Sequence, residues 1–161
     1  NHVCSDKSDD PFEESFRFVL PGYNLRPLEI EGALGVEQVK RLPRLIAERR
    51  KNGKLLQATM GNHPDIIIQK EIGASSWFGF SLVIRPGSQL TRKALVVKLQ
   101  ELGFECRPIV AGNFAKNEVV KYFDSEVHGT LQNAEHIDQN GVFVGNNHFP
   151  IPEAFAVLAK L

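Results

Sequence analysis

Two short clusters carry residue types able to hold an anion or a sugar. In Gly22-Tyr23-Asn24-Leu25-Arg26-Pro27, an amide donor and a guanidinium stand two residues apart in a turn ahead of a helical pattern. Such a pair can hold a phosphate, because both side chains present N–H donors and the guanidinium adds charge. The plainer reading, favoured by the pattern alone, is a helix start in which Asn24 caps and Arg26 is solvated. The second cluster is Glu105-Cys106-Arg107-Pro108-Ile109-Val110, continuing to Gly112-Asn113-Phe114. Strand alternation puts Glu105 and Arg107 on one face and Cys106 on the other. A carboxylate beside a guanidinium, next to a Gly-Asn loop, can bind sugar hydroxyls or an acidic donor. Taken alone, the pattern favours a same-face ion pair on an edge strand, worth little energetically. Cys106 reads as a small packing residue rather than a nucleophile. Trp77-Phe78-Gly79-Phe80 is aromatic enough to line a pocket, with sheet core as the default.

Other chemistry is thinly represented. The chain contains no phosphate-binding loop of the G-x-x-x-x-G-K-[ST] type, no G-x-G-x-x-G and no G-x-S-x-G. Its five histidines, at positions 2, 63, 128, 136 and 148, are scattered. His2 and Cys4 form the one close metal-ligand pair, without two further ligands at suitable spacing, so no structural metal is expected. From Lys40 to Lys54 the chain carries Lys40, Arg41, Arg44, Arg49, Arg50, Lys51 and Lys54 against Glu48 alone. That run is a possible phosphate-binding face, but a solvated helix face is the preferred reading.

The elements that must position these residues follow from periodicity. Residues 1–15 are the most polar stretch and read as a surface arm, with Pro11 discouraging helix. Phe16 to Leu20 alternates briefly, as a short strand would, and stops at the turn signal Pro21-Gly22. Leu28, Ala33, Leu34, Val36, Val39 and Leu42 fit an amphipathic helix. Its Gly32 and Gly35 lower intrinsic propensity and suit close approach of another backbone. Pro43 opens a second helix running to about Met60, ended by Gly61-Asn62. Strands are expected at 66–69 and 77–84, the latter closed by Pro86-Gly87. A helix from Arg92 to Leu102 follows, with Thr91 as N-cap and Gly103 just past its end. Phe104 to Val110 forms a third strand, an edge strand because of Pro108. Short helices near 118–123, 134–140 and 153–161 sit among Gly- and Asn-rich loops. The order predicts an α+β domain, a small antiparallel or mixed sheet with helices on one face.

Composition bounds the function classes. The 161 residues, 42% hydrophobic and 24% charged, suffice for one domain with a closed core. Lys plus Arg and Asp plus Glu both total 19, so the large positive excess of a nucleic-acid binder is missing. The longest apolar runs, such as Ile66-Ile67-Ile68, fall far short of the roughly 20 residues of a membrane helix. Two cysteines give no disulfide scaffold, which fits a reducing, cytoplasmic compartment. No basic-then-apolar leader is seen. The first residue is Asn1 and the single methionine is Met60, as expected of a piece of a longer protein.

In order along almost the whole chain, several segments resemble the DegT/StrS family of pyridoxal-phosphate-dependent sugar aminotransferases and dehydratases, of fold type I. They are Gly22-Tyr23-Asn24-Leu25-Arg26, Leu28 through Gln38, Ser76 through Phe80, Glu105 through Val110, Gly112-Asn113-Phe114 and Gly145-Asn146-Asn147-His148. The resemblance implies the small C-terminal domain of such an enzyme over 28–161. Residues 1–27 would be an arm reaching the active site and the partner subunit of a homodimer. Asn24 and Arg26 would serve the phosphate of pyridoxal 5′-phosphate or pyridoxamine 5′-phosphate. Phe16, Tyr23, Glu105, Arg107 and Asn113 would face a nucleotide-sugar substrate, with glutamate as amino donor. The implied activity is loss of the C3 hydroxyl of a nucleotide-linked 4-keto-6-deoxyhexose in deoxysugar and O-antigen synthesis. The alternative within the family is 4-keto aminotransfer. The catalytic position, lysine in aminotransferases and histidine in the dehydratases, would lie upstream, which would leave residues 1–161 inactive alone. A reading of another class is a non-catalytic small-molecule-binding or dimerisation module.

Overall fold

The structure is a computed structural model, and it describes residues 8–23 and 25–161. The first seven residues of the expected arm, with the His2–Cys4 pair, and Asn24 lie outside the described residues. Helix α1 (Pro11–Glu14) shows why the reading of Pro11 as a helix breaker fails. Proline at the first helical position loses no intrahelical bond, and the Asp10 carboxylate caps the turn by accepting from Phe12 N at 2.9 Å. The short strand expected over 16–20 does not form; the backbone there is irregular.

Helix α2 (Glu29–Val39) begins where the Glu31 carboxylate accepts from Leu28 N at 2.9 Å. Helix α3 (Leu42–Met60) starts with proline in its first turn and ends at Gly61. Strands β1 (Ile66–Ile68) and β2 (Gly79–Ile84) pair antiparallel. Helix α4 (Arg92–Glu101) is capped by Thr91, whose hydroxyl accepts from Ala94 N at 3.2 Å. Gly103 takes a φ of +85° just past its end, a conformation suited to glycine. Strand β3 is only Cys106–Arg107, shorter than the expected 104–110. Pro108 has no N–H to extend the ladder, and Val110 turns the chain at φ +47°. Two 3₁₀ segments (Phe114–Lys116, Glu118–Tyr122) lead to α5 (Gln132–Asn140), β4 (Gly141–Gly145) and α6 (Pro152–Leu158).

The sheet is four-stranded, in the order β1-β2-β4-β3, and every pairing is antiparallel. Phe80 faces Val144 and Leu82 faces Val142 across the central pair. These residues, with Ile66 and Ile84, meet Leu56 and Met60 of α3, Leu95 and Leu99 of α4, and Phe155 and Leu158 of α6. Helices therefore cover one face of the sheet, as expected for α+β. The opposite face carries Ser81, Phe143 and Arg107 in register. β4 corrects the reading of 141–145 as loop. It is central and buried over Gly141–Val144, so no polar–apolar alternation marks it. Among the described residues, no helix is long and apolar enough to cross a membrane.

Candidate functional site

A groove of about 670 Å³ opens beside β3 and the outward face of β4, lined by Glu105, Arg107, Phe78, Phe143, Arg49 and Asn147 among others. The alternation read from the sequence does bring Glu105 and Arg107 to one place. The ion pair between them does not form. Arg107 instead sits within a cage of three rings, its guanidinium carbon 4.5 Å from the centroid of Phe143, 5.2 Å from Phe16 and 5.5 Å from Phe78. Stacking on rings leaves the N–H edge of a guanidinium available to an anion. Glu105 is left to accept.

The aromatic wall owes its direction to one backbone turn. Trp77 takes φ +52°, rare for a side chain of that size. The turn sends Trp77 into the core, 3% exposed, and Phe78 out toward the groove, 68% exposed. Polar struts hold it. The Asn146 amide donates to Trp77 O at 2.8 Å and to Arg49 O at 3.1 Å. Asn52, buried, donates to the Asn146 side-chain oxygen at 3.1 Å. Arg49 donates to Phe78 O at 3.2 Å, and Arg50 to Ser75 O and Ala74 O. Part of the basic run is thus structural, while Lys40 and Lys51 pair with Glu37 and Glu48 on the helix surface.

The remaining candidates lie elsewhere. Phe16 and Asn113 line a second recess of about 330 Å³ beside the first, and Phe16 spans both by stacking on Arg107. Asn113 is 6% exposed and donates to Glu135 at 3.1 Å. That bond, after a stronger one from Lys116, lowers the Glu135 pKa, and the Glu135 hydrogen bond in turn raises that of Lys116. Tyr23 is 95% exposed and Arg26 is exposed on the same loop, so the structure does not bring these two to the groove. Cys106 is half-buried against the core, and burial, helped by the Glu105 charge, pushes its thiol up to about 11. It is a packing residue, not a nucleophile.

Sequence reasoning named the Phe78 segment but not its role beside Arg107, and it missed Phe143 because β4 went unread. The available signal was the short run of β-branched and aromatic residues Val142-Phe143-Val144 between two glycines.

GDP-4-keto-6-deoxy-D-mannose 3-dehydratase of Yersinia pseudotuberculosis is 55% identical over 95% of this chain, which spans only 39% of that protein. A structure of the E. coli GDP-4-keto-6-deoxy-D-mannose-3-dehydratase with bound hydrated PLP superposes with a TM-score of 0.81 at 54% identity, covering 96% of this chain and 40% of its own. A structure of GDP-4-keto-6-deoxymannose-3-dehydratase with a trapped PLP-glutamate geminal diamine matches with the same figures. The model of the DegT/DnrJ/EryC1/StrS aminotransferase family matches residues 1–147, a span that takes in the arm, the Arg107 cage and the whole sheet. With that span matched, the chain belongs to the DegT/DnrJ/EryC1/StrS aminotransferase family.

Proposed function

We propose that residues 28–161 are the small C-terminal domain, and 1–27 an arm, of a homodimeric pyridoxal-phosphate enzyme that removes the C3 hydroxyl of a nucleotide-linked 4-keto-6-deoxyhexose. The observation that carries this reading is 55% identity, sustained over 95% of the chain, to a GDP-4-keto-6-deoxy-D-mannose 3-dehydratase. GDP is accordingly the proposed nucleotide, glutamate the amino donor and the cytoplasm the compartment.

The cofactor would supply an electron sink. The chain's own residues fit its phosphate. Arg26 is a guanidinium donor, exposed and without an ion pair among the described residues, in the irregular stretch before α2. With Asn24 it would hold the phosphate dianion in the neighbouring subunit, with Tyr23 beside it on the same loop. In the groove, Glu105 would accept hydrogen bonds from substrate O–H or N–H groups. Arg107 would bind an anionic or strongly polar group along its free edge, with Phe16 excluding water from one side. Asn113, whose amide is already given to Glu135, would shape the wall rather than reach the substrate.

The test is borohydride reduction of the full-length protein loaded with pyridoxal phosphate, followed by peptide mass analysis. Cofactor retained without a reduced lysine adduct supports the dehydratase. A lysine adduct means an aminotransferase, and failure to retain the cofactor sinks the whole reading.

A further inference from the structure

Residues 8–18 cross the body of the domain with little apolar burial of their own. α1 has no buried residue, and only Phe12 packs partly against the core. Apart from the edge-to-face contact of Phe18 with Phe114, 6.5 Å between ring centroids, what fastens the segment is polar, and its first fastening centres on Arg92 at the start of α4. The Arg92 guanidinium donates to the Glu13 carboxylate and to Asp138 O, and lies 5.4 Å from the Phe12 ring centroid. An arginine engaged along two edges and one face holds a partner in one orientation, as a single exposed ion pair does not. Further along, Arg17 donates to Glu118 at 2.9 Å, Asn117 accepts from Phe18 N at 3.4 Å, and Val119 N donates to Phe18 O at 3.3 Å. Phe16 lies between these two fastenings, where its ring closes the Arg107 cage. The exposed residues Tyr23 and Arg26 follow a few positions further on.

We propose that Arg92 is a positioning residue for the substrate groove. It locks Glu13 and Phe12 onto the body, so that Phe16 covers Arg107 and the chain that follows Phe18 starts from a fixed root. This rests on the reading of the Glu105–Arg107 groove as the substrate site. Arg92 itself touches neither groove residue.

The test uses the full-length protein and the variants Arg92→Glu, Glu13→Arg, the double exchange, and Arg107→Ala as control. Arg92→Glu is expected to raise KM for the GDP-linked 4-keto-6-deoxy sugar about tenfold, with kcat within about twofold, since loosening a wall of the groove away from the reacting atoms removes binding shared by ground state and transition state. It should also speed tryptic cleavage after Arg17. The double exchange should reverse both changes in part, since it restores the ion pair with position 13 but neither the bond to Asp138 O nor the contact with the Phe12 ring. If Arg107→Ala raises KM but Arg92→Glu changes neither KM nor cleavage, the positioning role is wrong while the groove reading stands. If Arg92→Glu speeds cleavage without moving KM, Arg92 holds the arm but does not serve the site, which also overturns the proposal. If Arg107→Ala leaves KM unchanged, the groove reading falls and the proposal with it.

Discussion

Arg107 stands beside a carboxylate without pairing to it, surrounded instead by three rings from three distant parts of the chain. A charged hydrogen bond to substrate is worth about 1.5–3 kcal/mol, so Arg107→Ala should raise KM for the sugar nucleotide by about tenfold or more. Arg107→Lys should recover little, since an ammonium has neither the planar face for the rings nor the forked edge. Steady-state kinetics on the full-length protein checks both. Cys106 gives a prediction of opposite character. With its thiol pushed up to about 11, it should react slowly with iodoacetamide at pH 8 in the folded state and rapidly once unfolded. Because the folded state binds that proton more tightly, its contribution to stability is present below about pH 9 and is lost as the pH rises toward about 11. Urea unfolding across that range reads it. That Glu105 and Arg107 share a face was legible from alternation in the sequence. The cage was not, because rings at positions 16, 78 and 143 meet only after the sheet is assembled.

The strand β4 and the turn at Trp77 decide how the groove is built. Gly53 on α3 faces the Trp77 ring so closely that a Cβ there would stand 2.7 Å from its carbons. Gly53→Ala must displace the ring, and a cost of about 1–3 kcal/mol is expected from overpacking. Urea unfolding reads that cost, and a raised KM for the sugar nucleotide should accompany it, because Phe78 follows Trp77. Asn146→Ala leaves the Trp77 and Arg49 carbonyls without their donor and should cost about 1–3 kcal/mol. Helices α3 and α4 were legible nearly to their ends, since Pro43, Thr91 and Gly103 are local signals with local causes. β4 was not, because a strand buried on both faces between two glycines has no polar–apolar period to display.

At the scale of the whole molecule, α2 is the element that the described chain does not use. It has no buried residue; Ile30, Leu34, Val36 and Val39 are exposed, and a Cβ at Gly32 or Gly35 would meet nothing. An isolated helix of this length is marginal in water. Its amides should therefore exchange with solvent far faster than those of α3 when residues 1–161 are prepared alone, as hydrogen-exchange mass spectrometry would show. The chain spans about two-fifths of the relatives it matches, and by itself it should turn over no sugar nucleotide. The glycines of α2 were legible as an invitation to close packing; what packs there was not, since nothing among the described residues covers Gly32 or Gly35. The most direct test of the account gives the full-length protein pyridoxal phosphate, glutamate and GDP-4-keto-6-deoxymannose, and weighs the product. The account predicts a 4-keto sugar lighter by one oxygen atom, with 2-oxoglutarate and ammonia released in step with it. A product that keeps its C3 hydroxyl and gains an amino group, or a sugar returned unchanged, would contradict it.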